Sequence, residues 1–214
     1  MYFVGSDETK KYLCNSGIKK DRVVITGIPV KTEFKNISCR KKYSRKKKVL
    51  IMGGGFGLIP FHKEILSELN EDKNIETTII TGHNRKLYHE VFVKYPNIRV
   101  VGFTNEVHRY MQESDVLISK PGGITLFEAI QSNIPMVVIN PFLAQEIHNA
   151  DFIERKQIGK IIYNKKDVKD QLYDFIYDYR LQDDMRKNMN SIKRKINRVE
   201  MAGIIGDLCE AQAV

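Results

Sequence analysis

Tryptophan is absent from this 214-residue sequence, and cysteine and proline are scarce, with three and six copies. Each shortage excludes something. Cys14, Cys39 and Cys209 are scattered, odd in number and form no CxxC pair, so neither a disulfide scaffold nor a zinc ribbon is encoded. They are expected to be structural thiols of a reduced protein. Proline and glycine follow no period, and no unit recurs at repeat spacing, which excludes collagen-like and solenoid architectures. Long apolar runs are also missing. The least polar stretches, Met52 to Phe61 and Ile134 to Phe142, fall short of the roughly 20 residues of a membrane span, and both contain proline. The amino terminus, MYFVGSDETKK, has neither the basic nor the apolar region of a signal peptide. Acidic residues are fewer than basic ones, 26 against 35, for a net charge of +9. That balance favours anionic partners. Without zinc-finger spacing, an aromatic RNP-type strand or tryptophan, nucleic acid is not expected among them.

What is present reads as a globular α/β chain. Short runs rich in Val and Ile recur at Val49–Met52, Thr77–Thr81, Ile98–Gly102, Asp115–Ser119, Met136–Asn140 and Lys160–Tyr163. They are mostly continuous rather than alternating, as in strands buried on both faces of a parallel sheet. Helical periodicity lies between them, as in Leu58, Phe61, Ile65 and Leu69 and again in Val168, Leu172, Phe175, Ile176 and Tyr179. Strand–helix alternation predicts a Rossmann-like, doubly wound parallel sheet.

Four regions are expected. Residues 1–30 form a strand–helix–strand piece too small for its own core, with strands near Tyr2–Gly5 and Arg22–Thr26. Ser6 would cap its helix and Gly17 would end it. Residues 31–48 read as a basic linker, since seven of the nine residues from Arg40 to Lys48 are basic. Residues 49–180 carry the Rossmann-like domain. Residues 181–214 are a helical end whose Met185, Met189, Ile192, Ile196 and Val199 form an apolar stripe beside a basic face. That face suits either solvent or a membrane surface.

Three places could carry chemistry. Gly53, Gly54, Gly55, Phe56 and Gly57 follow a strand and precede a helix. So many glycines serve either a tight turn alone or close approach of a phosphate to backbone N–H groups at a helix start. No Gly-Lys-Ser/Thr follows, so this is not a Walker loop. Leu58 takes the last glycine position of a dinucleotide fingerprint, and Thr81-Gly82-His83 offers no carboxylate for a ribose, so NAD is not expected. The second place is Ser119-Lys120-Pro121-Gly122-Gly123-Ile124-Thr125-Leu126-Phe127-Glu128. There Glu128 either complements a helix dipole from the first turn or accepts hydrogen bonds from a ribose diol. The third is Ala144 to Ala150, where Gln145, Glu146 and Asn149 suit sugar hydroxyls, or simply form an exposed helix start. No DxD, GxSxG or HExxH occurs, and the five histidines show no metal-ligand spacing.

The segments GIPV, VLIMGGGFG, TGHN, GFTNEV, DVLISKPGGITLFEA and QEIHNA, in this order and spacing, resemble glycosyltransferase family 28 enzymes of the GT-B fold. Within it the likeness is to the C-terminal, donor-binding half of processive diacylglycerol glucosyltransferases and monogalactosyldiacylglycerol synthases. It runs from Tyr2 to about Arg180, and SKPGGITLFEA with QExxNA is its most specific part.

The resemblance implies a hexosyltransferase of glycolipid synthesis, using UDP-glucose or UDP-galactose without a metal or cofactor. It acts on a lipid acceptor such as diacylglycerol, as a cytoplasmic protein peripheral to the inner face of the cell membrane. By the same resemblance Gly53 to Gly57 border the diphosphate, and Phe103 and Thr104 present backbone to uracil. Gly122, Gly123, Ile124 and Thr125 hold the phosphates and Glu128 the ribose. Gln145, Glu146 and Asn149 contact the hexose and diphosphate. Ala144 stands where the family usually has Gly. Residues 1–30 match only the tail of the acceptor half, so the base and acceptor groove are expected to lie outside this chain, leaving it inactive alone. A soluble donor-binding subunit of a two-chain enzyme, a non-catalytic nucleotide-binding module and a sugar-nucleotide epimerase are the competing readings.

Overall fold

The computed structural model describes residues 1–35, 46–59, 63–163, 168–196 and 201–210. The amino-terminal piece is β1 (Tyr2–Val4), α1 (Asp7–Asn15) and β2 (Val23–Ile25). β1 and β2 pair in parallel as a two-stranded sheet of their own. Ser6 caps α1 by accepting from the Thr9 N–H. Gly17, at φ +94°, ends it, with Gly17 N donating to the Cys14 carbonyl and Ile18 N to that of Leu13. The piece leans on the larger body through Lys156, whose ammonium lies 3.1 Å from Glu8 and 3.9 Å from Asp7.

The larger body alternates β3 (Lys47–Met52), α2 (Lys63–Glu71), β4 (Ile75–Ile80), α3 (Arg85–Lys94), β5 (Arg99–Val101), α4 (Val107–Glu113), β6 (Val116–Ser119), α5 (Gly123–Ser132), β7 (Met136–Ile139), α6 (Ala144–Arg155), β8 (Gly159–Ile162) and α7 (Val168–Tyr177). α8 (Tyr179–Ile196) and α9 (Met201–Glu210) follow. All six strands are parallel, in the order β5-β4-β3-β6-β7-β8. This is the doubly wound sheet expected from the sequence.

Alternation hides inside the continuous apolar runs. Val49, Ile51, Val116, Ile118, Val137 and Ile139 enter the core beneath α2, α3 and α7. Leu50, Met52, Leu117, Met136 and Val138 enter the opposite core with α5 and α6. A strand covered by helices on both sides needs apolar residues at every position, so no polar face shows in sequence. α8 reaches both layers: Met185 is buried in the first core and Met189 in the second, with Ile192 and Ile196 beside it. Val199 lies outside the described residues.

The stretch expected as a linker contributes to the body at both ends. Phe34 is buried in the second core, and Lys47 and Lys48 open β3. Lys47 is buried with its ammonium 3.2 Å from the centroid of the Tyr179 ring, and burial lowers its pKa. Residues 36–45 lie outside the described residues.

Candidate nucleotide-sugar site

Met52 pairs with Ile80 on one side and with Ser119 on the other. The turns after β3, β4 and β6 therefore leave the sheet side by side. The chain winds away from β3 toward β4 and β5, and returns to start β6 on the other flank. Ligands bind outside the carboxyl ends of strands at such a reversal. All three candidate segments, and Phe103 with Thr104 after β5, lie along this edge.

The glycine turn after β3 closes on itself and on its neighbour. Leu58 N donates to the Gly53 carbonyl at 3.0 Å, and Gly57 N to that of Gly54 at 3.0 Å. His83 N donates to the Gly55 carbonyl at 3.0 Å, and Asn84 Nδ2 to that of Gly57 at 3.3 Å. A Cβ on Gly53 would stand 2.5 Å from Leu58 N, and Gly57 adopts φ +60° against the Thr81 backbone. Gly53 and Gly57 are thus required by packing, whereas Gly54 and Gly55 face open space.

The structure differs from the expected helix start directly beside these glycines: Gly57, Leu58 and Ile59 are not helical, residues 60–62 lie outside the described residues, and α2 is described from Lys63. Its Ile65, Leu66 and Leu69 are buried, while Leu58 is an exposed turn residue and Phe61 lies outside the described residues. Phe56 is exposed. Phe103, also exposed, stacks on His83 with centroids 4.3 Å apart. The Thr104 hydroxyl is engaged locally, accepting from Glu106 N.

α5 follows β6 after three residues, and Gly122 caps it without a side-chain bond. A Cβ on Gly123 would stand 2.8 Å from Ile28 Cδ1, so glycine admits the segment after β2. Ile124 is exposed and Thr125 half-buried at the helix start. Glu128 sits in the second turn, not the first, which removes the helix-dipole reading. It is half-buried and makes no hydrogen bond or ion pair among the described residues. Burial pushes its carboxyl pKa up to about 7, with Lys31 pulling weakly the other way. A carboxylate so placed has its acceptor capacity unspent.

The third segment divides. α6 also starts without a side-chain cap. Gln145 is exposed, as its expected role requires, but Glu146 turns inward and is 9% exposed. Glu146 accepts from Phe142 N at 3.4 Å and lies 3.5 Å from the Lys120 ammonium. Asn149 Nδ2 donates to the Pro121 carbonyl at 2.7 Å. Two of the three residues expected to meet a ligand thus hold the β6–α5 turn. Three further side chains stand beside candidate residues: Lys120 by Glu146, Lys31 near Glu128 and His83 against Phe103. Lys120 had one signal, a cation directly between a strand end and a glycine pair.

Among the described residues no cluster of His, Cys, Asp or Glu could hold a metal ion. A cavity of about 620 Å³ lies at the opposite, amino edge of the sheet. Its walls mix Lys48, Lys73 and Arg99 with Asp72, Glu76 and Glu113, and no candidate residue lines it.

The fold and this edge define a Rossmann-like α/β domain whose strand order reverses between β3 and β6. The chain belongs to glycosyltransferase family 28: the family's C-terminal domain matches residues 48–202. It is 30% identical over 193 residues to a processive diacylglycerol beta-glucosyltransferase of Staphylococcus haemolyticus, covering 85% of this chain and 49% of that protein. The chain spans about half the length of the curated relatives it matches. The glycotransferase of kitacinnamycin superposes with a TM-score of 0.69 at 15% identity, over 92% of this chain and 51% of that one. A UDP-N-acetylglucosamine 2-epimerase does so with a TM-score of 0.62 at 15% identity, over 92% and 56%. Fold alone does not separate transferases from epimerases; the family match does. No helix among the described residues is long and apolar enough to cross a membrane.

Proposed function

We propose that this chain is the donor-binding part of a glycosyltransferase that moves a hexose from UDP-glucose or UDP-galactose to a lipid hydroxyl, such as that of diacylglycerol. The observation that carries the reading is Glu128: an unpaired, half-buried carboxylate at the strand-reversal edge, one turn from the uncapped start of α5. A ribose diol offers the two donors that such a carboxylate lacks. The backbone N–H groups at the starts of α5 and α6 suit the diphosphate.

In the transfer, the acceptor oxygen bonds to the anomeric carbon and the bond from that carbon to the diphosphate oxygen breaks. The electron pair leaves with UDP, and the acceptor proton passes to a general base. The helix starts favour the departing charge, because fixed dipoles need no reorganisation as it develops. On this reading the base and acceptor groove lie outside this chain, which spans about half the length of its curated relatives, and the chain alone binds donor without forming glycolipid. Peripheral attachment to the inner face of the cell membrane fits the relatives' diacylglycerol chemistry and the net charge of +9.

The test is calorimetric titration with UDP, with NAD as control. Saturable binding of UDP alone, weakened by Glu128→Ala, is expected. Equal binding of UDP by wild type and Glu128→Ala would overturn the assignment.

A further inference from the structure

We infer that Lys120 is the cation that meets the distal phosphate of the bound nucleoside diphosphate, and that Glu146 is its positioning residue. The inference rests on the donor-site reading above and adds to it a residue and a division of labour. Lys120 directly follows β6, at the strand reversal, and its side chain is only 24% exposed. Its ammonium lies 3.5 Å from Glu146 Oε1 and 5.5 Å from the centroid of the Phe142 ring. It makes no other polar contact among the described residues, so most of its N–H donor capacity is unspent.

Lys120 lies between the start of α5, three residues on, and the first turn of α6, which carries Glu146. Both helix starts lack a side-chain cap, as does that of α4, whereas Ser6 and Asn84 cap α1 and α3. Helix starts carry partial positive charge, which repels an ammonium and attracts a phosphate. Glu146 is itself held by Phe142 N, which fixes its direction and hence that of Lys120. An ammonium between two uncapped helix starts, restrained by a buried carboxylate, is arranged for a phosphate with more than one free oxygen.

The experiment compares UDP with UMP by calorimetry on the 214-residue chain. Wild type is expected to prefer UDP. Lys120→Met should weaken UDP about tenfold or more while leaving UMP within about twofold, because only UDP carries the distal phosphate. Lys120→Arg should recover part of the loss, and Glu146→Gln should weaken UDP severalfold with UMP unchanged. Glu128→Gln should weaken both ligands alike, since both carry the ribose. If Lys120→Met leaves the UDP-to-UMP preference unchanged, or weakens both ligands equally, the role of Lys120 is overturned while the donor site stands. If folded wild type binds neither ligand, the donor-site reading and this inference fall together.

Discussion

Asn149, in the second turn of α6, donates from Nδ2 to the Pro121 carbonyl at 2.7 Å and so fastens one helix to the turn that starts another. Pro121 is buried, and its carbonyl has no helix to join. The bond therefore fixes the spacing between the starts of α5 and α6, where the donor phosphates are proposed to lie. Asn149→Ala is expected to cost about 1 kcal/mol of stability, the net worth of one such hydrogen bond. UDP affinity should fall by more than that loss of folding accounts for, because two helix starts shift. Denaturant unfolding and calorimetry on the same variant separate the two effects.

Glycine matters unequally in the turn after β3. Gly57→Ala must place a Cβ against the Thr81 backbone at φ +60°, and a cost of about 2 kcal/mol or more is expected. Gly54→Ala, at φ +70° with nothing nearby, should cost only about 1 kcal/mol. Comparing their denaturant midpoints checks the order.

Glu128 gives stability a pH dependence of defined sign. Its carboxyl titrates at about 7 in the folded chain, against an ordinary value of 4.5. The folded state therefore holds the proton more tightly, and stability falls as pH rises from the ordinary value through the folded one, then levels off. Partial exposure limits the effect to on the order of 1 kcal/mol. Glu128→Gln should flatten this slope in unfolding curves measured across the window. Ribose hydroxyls favour the ionised form, so uridine affinity in wild type should rise between about pH 6 and 8. Uridine carries no phosphate of its own to confuse the reading, and Glu128→Gln should show no such rise.

Gln182, in α8, joins that helix to α7. Fully buried, it donates from Nε2 to the carbonyls of Phe175 at 2.7 Å and Ile176 at 3.0 Å, while Oε1 accepts from Arg186. These are carbonyls at the end of α7 that have no further turn to bond them. Gln182→Ala leaves them buried without this donor, and about 2 kcal/mol of destabilisation is expected. Thermal unfolding measures it, and UDP binding should persist, since Gln182 is remote from the candidate edge.

Much of this protein was legible in one dimension because the governing physics is local. Apolar runs with helical segments between them define the parallel sheet, since only strands covered on both faces read that way. Ser6 and Gly17 mark the ends of α1 by side-chain capping and backbone handedness, both properties of single residues. The glycine pair marks the start of α5 for the same reason. Tertiary structure decided what each of those residues faces. Four glycines in the β3 turn could equally have served a ligand; packing against Leu58 and Thr81 claims Gly53 and Gly57 and leaves Gly54 and Gly55 open. Glu128, Glu146 and Asn149 look alike as polar residues near helix starts. Yet burial without a partner sets Glu128 apart, while Lys120 and Pro121 draw Glu146 and Asn149 inward. Lys47 belongs to a basic run in the sequence, and the Tyr179 ring makes it part of the body. Such assignments depend on contacts between residues far apart in the chain, which no spacing encodes.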